Sequence, residues 1–180
     1  MKYNPDVHRR RSIRLKNYDY SQAGAYFITL CIQNRECLLG EIIDWKMQLS
    51  PAGENVFLQW TNLPQRFPCL ELDAFVVMPN HFHAIFFINP VGAPLAAPCF
   101  KSNDKDAASS APTVGKILRV FKSISGIEGN RLLNRSNQPF WQRNYWEHVI
   151  RDEKELMVLR QYTQNNPDQW ELDSLYAHNP

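Results

Sequence analysis

Two histidines separated by a single residue are the first side chains in this sequence that could carry chemistry. His81 and His83 flank Phe82 at the start of an apolar run. Alternate side chains of a strand share a face, so the two imidazoles should project to one side, about 6 to 7 Å apart at the backbone. Burying two adjacent imidazoles without partners would be costly, and imidazole nitrogen is a common ligand of divalent metals. The pair therefore predicts a metal site rather than two packed core histidines.

A tyrosine and an asparagine near the end of the chain form the second candidate group. Tyr162 and Asn166 are four residues apart, so in a helix they would lie one turn apart on the same face. Spacing alone favours a structural interpretation, with Tyr162 as a core aromatic and Asn166 as a polar cap before Pro167. A metal ion nearby would change that interpretation, because a phenol and an amide oxygen would then approach it together.

The segments that must position these residues show a mixed pattern of strands and helices. Composition and short apolar runs predict strands at 24–33, 72–78, 81–88 and 140–150, the last of which could also be helical. Helical spacing and capping residues predict helices at 50–60, 113–124 and 153–165. This order predicts an α+β fold, a ferredoxin-like antiparallel sheet with helices on one face and a C-terminal catalytic helix.

The length of 180 residues fits a single domain spanning residues 1–180. Residues 89–112 are rich in Pro, Ala, Ser and Asn without an apolar period, which predicts a flexible insertion. The four cysteines are scattered without a CxxC pair, so neither a disulfide framework nor a zinc knuckle is expected. No apolar stretch approaches the ~20 residues of a membrane span and no signal-peptide core follows the basic N-terminus, so a cytoplasmic protein is expected.

Positive charge is clustered, although the net charge is only +2. A basic N-terminal arm covers residues 8–16, and a second basic group lies on and after the predicted helix at 113–124. Charge alone is equally compatible with a nucleic-acid surface and with a solvated tail plus an ordinary helix face. As a nucleic-acid surface, the clusters would contribute these candidate DNA-binding residues: Arg9, Arg10, Arg11, Arg14, Lys16, Lys116, Arg119, Lys122 and Arg143.

Four stretches of the chain together resemble one protein family. They are RRRSIRLKNYDYSQAGAYFITL (9–30), VVMPNHFHAIF (76–86), FWQRNYWEHVIRDEKEL (140–156) and YTQNNP (162–167). In this order and spacing they closely resemble the REP-associated tyrosine transposases, which belong to the His-hydrophobic-His, single-tyrosine class related to the IS200-like transposases. The resemblance covers nearly the whole chain except residues 89–112 and the last ten.

The resemblance implies roles for the candidate residues. His81 and His83 would hold a divalent cation, Mg²⁺ or Mn²⁺, with Asn166 as third ligand and Tyr162 as the nucleophile. A polar run at 163–165 follows the tyrosine where many relatives have an apolar residue, so Gln164 or Asn165 could replace Asn166 as the ligand. Tyr145 is a rival nucleophile, but a stacking or packing role is expected for it and for Trp141 and Trp146.

The implied activity is metal-dependent cleavage and rejoining of single-stranded DNA that carries a REP-like hairpin, through a 5′-phosphotyrosine. The protein would be cytoplasmic and associated with the nucleoid when acting on DNA, as a monomer or a homodimer. One alternative is a noncatalytic module of the same fold that binds single-stranded DNA or RNA hairpins. A barrel hydrolase using a His-x-His motif is excluded, since 180 residues without repeated βα units cannot form the barrel.

Overall fold

The computed structural model describes residues 24–89 and 113–176. The strands are β1 (Gly24–Cys31), β2 (Gly40–Ile43), β3 (Lys46–Leu49), β4 (Leu70–Val77), β5 (His81–Ile88) and β6 (Trp146–Ile150). The helices are α1 (Pro51–Thr61), α2 (Leu63–Arg66), α3 (Val114–Leu132) and α4 (Glu153–Asn165), and a 3-10 segment spans Pro167–Leu172. The basic arm at 8–16 and nearly all of the predicted insertion at 89–112 lie outside the described residues.

One four-stranded sheet organises the protein. Its strand order is β4-β5-β1-β6, and every neighbouring pair is antiparallel. The first and third of its strands along the chain, β1 and β5, occupy the centre, which is the arrangement of a ferredoxin-like sheet. The predicted α+β class and antiparallel sheet are therefore confirmed.

The two faces of the sheet bury different residues. Tyr26, Ile28 and Leu30 of β1 alternate toward the larger core, where α1 and α3 pack on the sheet. Phe27 and Ile85 face the other side and form a smaller cluster with Leu156 of α4. Helix α4 therefore covers the face opposite α1 and α3, so the helices lie on both faces of the sheet and not on one face as predicted. His81 and His83 project toward the face that α4 covers.

Local signals determine where the helices begin. The Ser50 hydroxyl accepts a hydrogen bond from the Gly53 amide at 3.1 Å, and the Asp152 carboxylate accepts one from the Glu155 amide at 2.8 Å. Helix α4 therefore has the predicted bounds, 153–165. Helix α3 was predicted to end near 124 but continues to Leu132. A β-carbon at Gly129 would lie 2.6 Å from the Phe140 ring, so this glycine permits the close packing that stabilises the longer helix.

Two further elements differ from expectation. The β2–β3 hairpin was not predicted, because its short strands pair only with each other. The predicted strand at 140–150 is a regular strand only from Trp146 onward, and an isolated bridge between Ile32 and Trp141 is the only sheet pairing before it in the described residues. No helix within the described ranges is long and apolar enough to cross a membrane.

Candidate metal and tyrosine site

The two histidines enter the site from the centre of the sheet. His81 and His83 are both buried, and their ring centroids are 4.6 Å apart. The register of β5 against β1 sets Thr29 opposite His83, and Thr29 Oγ1 lies 2.8 Å from His83 Nδ1. If Nδ1 carries the proton for this bond, Nε2 keeps a lone pair directed toward α4. The strand pairing therefore fixes the ring orientation.

Asn80 orients the other imidazole. Asn80 Oδ1 lies 2.8 Å from His81 Nδ1, and Asn80 Nδ2 donates to the Leu175 carbonyl at 2.8 Å. Asn80 is fully buried, so both contacts are shielded from water. In the tautomer with hydrogen on Nδ1, His81 Nε2 bears a lone pair, and this buried atom has no hydrogen-bond partner among the described residues.

Helix α4 carries the tyrosine to the same place. The Tyr162 hydroxyl lies 3.3 Å from His83 Nε2 and 3.5 Å from Asp173 Oδ2. Phe27 of β1 stacks on His83 at 5.3 Å and meets the Tyr162 ring edge-on at 6.1 Å. Tyr162 itself is 39% exposed, so its side chain is partly accessible from solvent.

The end of α4 and the segment after it complete the group. Asn166 is 2% exposed, and its Nδ2 donates to Asp173 Oδ2 at 3.1 Å. Its Oδ1 is buried and has no hydrogen-bond partner within the described residues. Gln164, by contrast, is exposed and lines a separate cleft on the outer side of α4. Of the alternatives considered for the third ligand, Asn166 is the one whose orphaned oxygen lies in the site.

Burial sets the protonation of these groups. Desolvation lowers the pKa of His81 to about 4, against the opposing charge of Asp173, and lowers the pKa of His83 well below its usual value. Both rings are therefore neutral at physiological pH. Burial and the Asp173 carboxylate raise the pKa of Tyr162. The Asn166 side chain affects both neighbours, raising the pKa of His81 and lowering that of Tyr162, so it lies beside each of them.

The donor set fits a divalent cation. One ligand atom from each of His81, His83 and Asp173 lies within 4.8 Å of the others. Two further observations support the fit, because His81 Nε2 and Asn166 Oδ1 are buried polar atoms that lack partners. Neutral imidazoles, a carboxylate and an amide oxygen are suitable ligands for Mn²⁺ or Mg²⁺, and nitrogen favours Mn²⁺ of the two. A cation would supply the partners that the orphaned atoms lack.

The sequence did not identify three residues of this group: Thr29, Asn80 and Asp173. Asn80 directly precedes the histidines, and its amide could have been suspected as a partner of the ring. Thr29 could be identified as a partner of His83 only from the strand register, which sets the two residues opposite each other. Asp173 lies beyond Pro167 in a stretch without regular periodicity, and no local signal marks it.

The described candidate DNA-binding residues lie on α3 and on the segment 140–145. Arg119, Lys122 and Arg143 line a cleft of about 500 Å³ between α3 and the segment 140–145, which we call the basic cleft. Lys122 Nζ donates to the carbonyls of Gln142 and Arg143, at 2.5 and 3.0 Å. Arg119 and Arg143 are exposed, and Lys116 lies on the same helix one turn before Arg119.

Sequence comparison finds related proteins in Haemophilus influenzae, while no protein-family model matches the chain. The chain is 44% identical over 178 residues to an "Uncharacterized protein", covering 98% of both sequences. It is also 25% identical over 156 residues to a "Putative REP-associated tyrosine transposase", covering 85% of this chain and 76% of the relative.

A solved structure has the same fold. It is a REP-associated tyrosine transposase bound to a REP hairpin, with a TM-score of 0.54 and 20% sequence identity. The match covers 87% of this chain and 73% of the solved one. The fold similarity and the sequence similarity thus lead to the same group of proteins.

Proposed function

We propose that this chain, which is similar in sequence and in fold to REP-associated tyrosine transposases, belongs to that family and cuts and rejoins single-stranded DNA carrying a REP-like hairpin. The observation that carries the proposal is the convergence of Tyr162 with the buried pair His81 and His83. A phenol 3.3 Å from one imidazole is partly exposed, as an attacking group must be. A binding module that never cuts DNA would have no need of this arrangement.

In the proposed reaction Tyr162 is the nucleophile. Its oxygen forms a bond to phosphorus, the bond from phosphorus to the 3′-oxygen breaks, and the leaving oxygen takes up a proton to give a free 3′-hydroxyl. The 5′-phosphate stays on the tyrosine, and attack by a 3′-hydroxyl reverses the step and rejoins DNA. No nucleotide is consumed, because a phosphodiester is exchanged for another of similar energy.

We propose that His81, His83 and Asn166 hold the cation, with the Asp173 carboxylate as a fourth group that the sequence did not indicate. When bound, Mn²⁺ or Mg²⁺ would neutralise charge on the nonbridging phosphate oxygens and on the attacking oxygen. Asn80 and Thr29 hold the two rings through Nδ1, so that each Nε2 remains available. The Asn166 amide lowers the pKa of Tyr162 and so favours loss of its proton.

The protein's own charges oppose a free phenolate. Burial and Asp173 raise the pKa of Tyr162, so the hydroxyl keeps its proton until the substrate and cation are in place. This would limit reaction of the tyrosine with other phosphodiesters. The Tyr162 hydroxyl lies near both the Asp173 carboxylate and His83 Nε2, and the Nε2 lone pair is the one that a cation would use.

The experiment is covalent trapping on hairpin-containing single-stranded oligonucleotides in Mn²⁺. The wild type should give a protein–DNA adduct, and mass spectrometry should locate the DNA on the peptide containing Tyr162. Tyr162→Phe should bind the oligonucleotide and form no adduct, whereas Tyr145→Phe, the matched control, should still form it. An adduct on Tyr145 would overturn the assignment, and the absence of any adduct with either metal would favour the noncatalytic binder.

A further inference from the structure

A second cleft opens directly beside the proposed nucleophile. It has a volume of about 650 Å³ and is lined by residues of β1, β5, β6 and α4, among them Phe27, His83, Trp146 and Tyr162. We call it the tyrosine cleft. This volume lies within the ~300–1,000 Å³ range of small-molecule pockets. The cleft is therefore large enough to hold a flat ring system next to the Tyr162 hydroxyl.

Trp146 forms a rigid wall of this cleft. His148 stacks on its indole with centroids 5.7 Å apart and planes 7° apart, and Phe27 meets it edge-on at 5.7 Å. His148 is itself held by Glu155, whose Oε1 lies 2.6 Å from Nε2. The indole nevertheless remains 44% exposed. A large aromatic ring is thus fixed in orientation while part of its surface is left open.

The neighbouring aromatic residues Trp141 and Tyr145 differ from Trp146 in burial and in contacts. Trp141 is 6% exposed, and its Nε1 donates to Ser125 Oγ at 3.0 Å inside the core. Tyr145 is half-buried, with Lys122 Nζ 5.9 Å from the centre of its ring. Of these three aromatics, Trp146 is the most exposed. Packing in the core explains the burial of Trp141, but it does not explain why Trp146 is exposed.

Amide groups stand beside the indole. Gln142 and Asn144 line the tyrosine cleft, and their side-chain amides have no hydrogen-bond partner within the part of the chain that the structure describes. Amides carry a donor and an acceptor and can pair with the edge of a nucleobase. An aromatic platform next to free amides is the composition with which proteins bind unpaired bases.

The tyrosine cleft also adjoins the basic cleft. Gln142 and Tyr145 line both of them, so the segment that carries these residues forms their common wall. Lys122 fixes that wall by donating to two of its carbonyls. Arg119 and Arg143 in the basic cleft can contact phosphates of a strand whose base occupies the neighbouring space. The two arginines are therefore positioned to bind the DNA backbone, and the aromatic surface is positioned to bind a base.

We propose that the tyrosine cleft is a nucleobase pocket, in which Trp146 stacks on the base of a DNA nucleotide adjoining the phosphodiester that Tyr162 attacks. The proposal rests on the proposed function, since it takes Tyr162 as the attacking group. Phe27 links the two sites physically, because its ring contacts Trp146, Tyr162 and His83. A base held on Trp146 would place its own phosphate beside the nucleophile.

The test compares binding of a base with binding of a backbone. In the Tyr162→Phe background, which cannot form the adduct, fluorescence anisotropy measures affinity for a short single-stranded thymidine oligonucleotide and for an abasic oligonucleotide of equal length. Trp146→Ala should weaken binding of the thymidine oligonucleotide about tenfold and leave the abasic one unchanged. Trp146→Phe, which keeps a smaller aromatic face, should lose less.

Trp45 gives the matched control, because it is 62% exposed on the connection between β2 and β3 and does not line the cleft. Trp45→Ala should leave both affinities unchanged. If Trp146→Ala lost affinity equally for the two oligonucleotides, or lost none for either, the nucleobase pocket would be rejected. The adduct assay distinguishes failure of the pocket proposal from failure of the proposed function. Base-dependent binding without any adduct would support the nucleobase pocket and reject the transposase activity. Adduct formation together with base-independent binding would support the transposase activity and reject the nucleobase pocket.

Discussion

The hydroxyl of Tyr162 lies 3.3 Å from Nε2 of His83, although the two residues are 79 positions apart in the chain. Their rings meet edge-on with centroids 5.3 Å apart. The contact exists because α4 packs on the face of the sheet toward which the histidines project. The proposed nucleophile and a proposed metal ligand therefore lie within hydrogen-bonding distance of each other.

We expect His83→Ala to abolish Mn²⁺ binding, because it removes one of two neutral imidazoles from a site with few other ligands. Isothermal titration calorimetry measures the binding, and circular dichroism checks that the fold is intact. His148→Ala is the control, since this histidine lies on β6 and contacts Glu155 instead. Full Mn²⁺ affinity in His83→Ala would reject the proposed centre.

Asn166→Ala should weaken Mn²⁺ binding by about tenfold or more, because it removes a buried amide oxygen that has no other partner. Cleavage should fall accordingly and recover in part at high Mn²⁺. Gln164→Ala should bind Mn²⁺ as the wild type does, since Gln164 is exposed on the outer side of α4. A larger defect in the Gln164 variant would reverse the assignment of the third ligand.

Asn80→Ala should lower Mn²⁺ affinity by about 10- to 100-fold, although Asn80 is not proposed as a ligand. The substitution leaves His81 Nδ1 without its acceptor, and it also removes the bond to the Leu175 carbonyl. Calorimetry reports the affinity, and limited proteolysis reports loosening of the segment around Leu175. Loosening with unchanged Mn²⁺ affinity would mean that Asn80 only anchors that segment.

Replacing Arg119 and Arg143 with Gln should make DNA binding less dependent on salt. Each phosphate contact that is lost should reduce the slope of log affinity against log salt by about 1. Arg66→Gln is the matched control, because this exposed arginine ends α2, which packs beside β4 at the other edge of the sheet. An unchanged slope in the double variant would show that the basic cleft does not contact the backbone.

Glu155→Gln should destabilise the protein slightly, by about 1 kcal/mol or less, because the pair of Glu155 with His148 is partly exposed to solvent. The Arg151 amide and His148 both contact the carboxylate and lower the pKa of Glu155. A lowered folded-state pKa gives stability that is complete above the usual value of 4.5 and disappears as pH falls through the lower value.

Urea unfolding of the Glu155→Gln variant and the wild type should therefore differ at neutral pH and converge in acid. Glu153→Gln is the comparison, because Glu153 makes only a 3.5 Å contact with Arg160 and is largely exposed. A difference between Glu155→Gln and wild type that grows in acid would contradict the expected sign.

Local sequence signals determined most of the elements. The apolar runs at 24–33 and 81–88 predicted β1 and β5, and the Asp152–Glu155 cap fixed the start of α4. The histidine pair and the Tyr162–Asn166 spacing could be interpreted because their geometry depends only on the period of a strand or a helix. These predictions need no knowledge of the rest of the chain.

Tertiary structure decided which of these residues meet. Sheet register brings Thr29 to His83, and the chain after Pro167 returns Asp173 to Asn166 and Tyr162. It also decided that Trp141 is buried while Trp146 is exposed, although both lie in one aromatic stretch. The physical reason is that register, chain return and burial depend on contacts between residues far apart in sequence, and a local period carries no information about them.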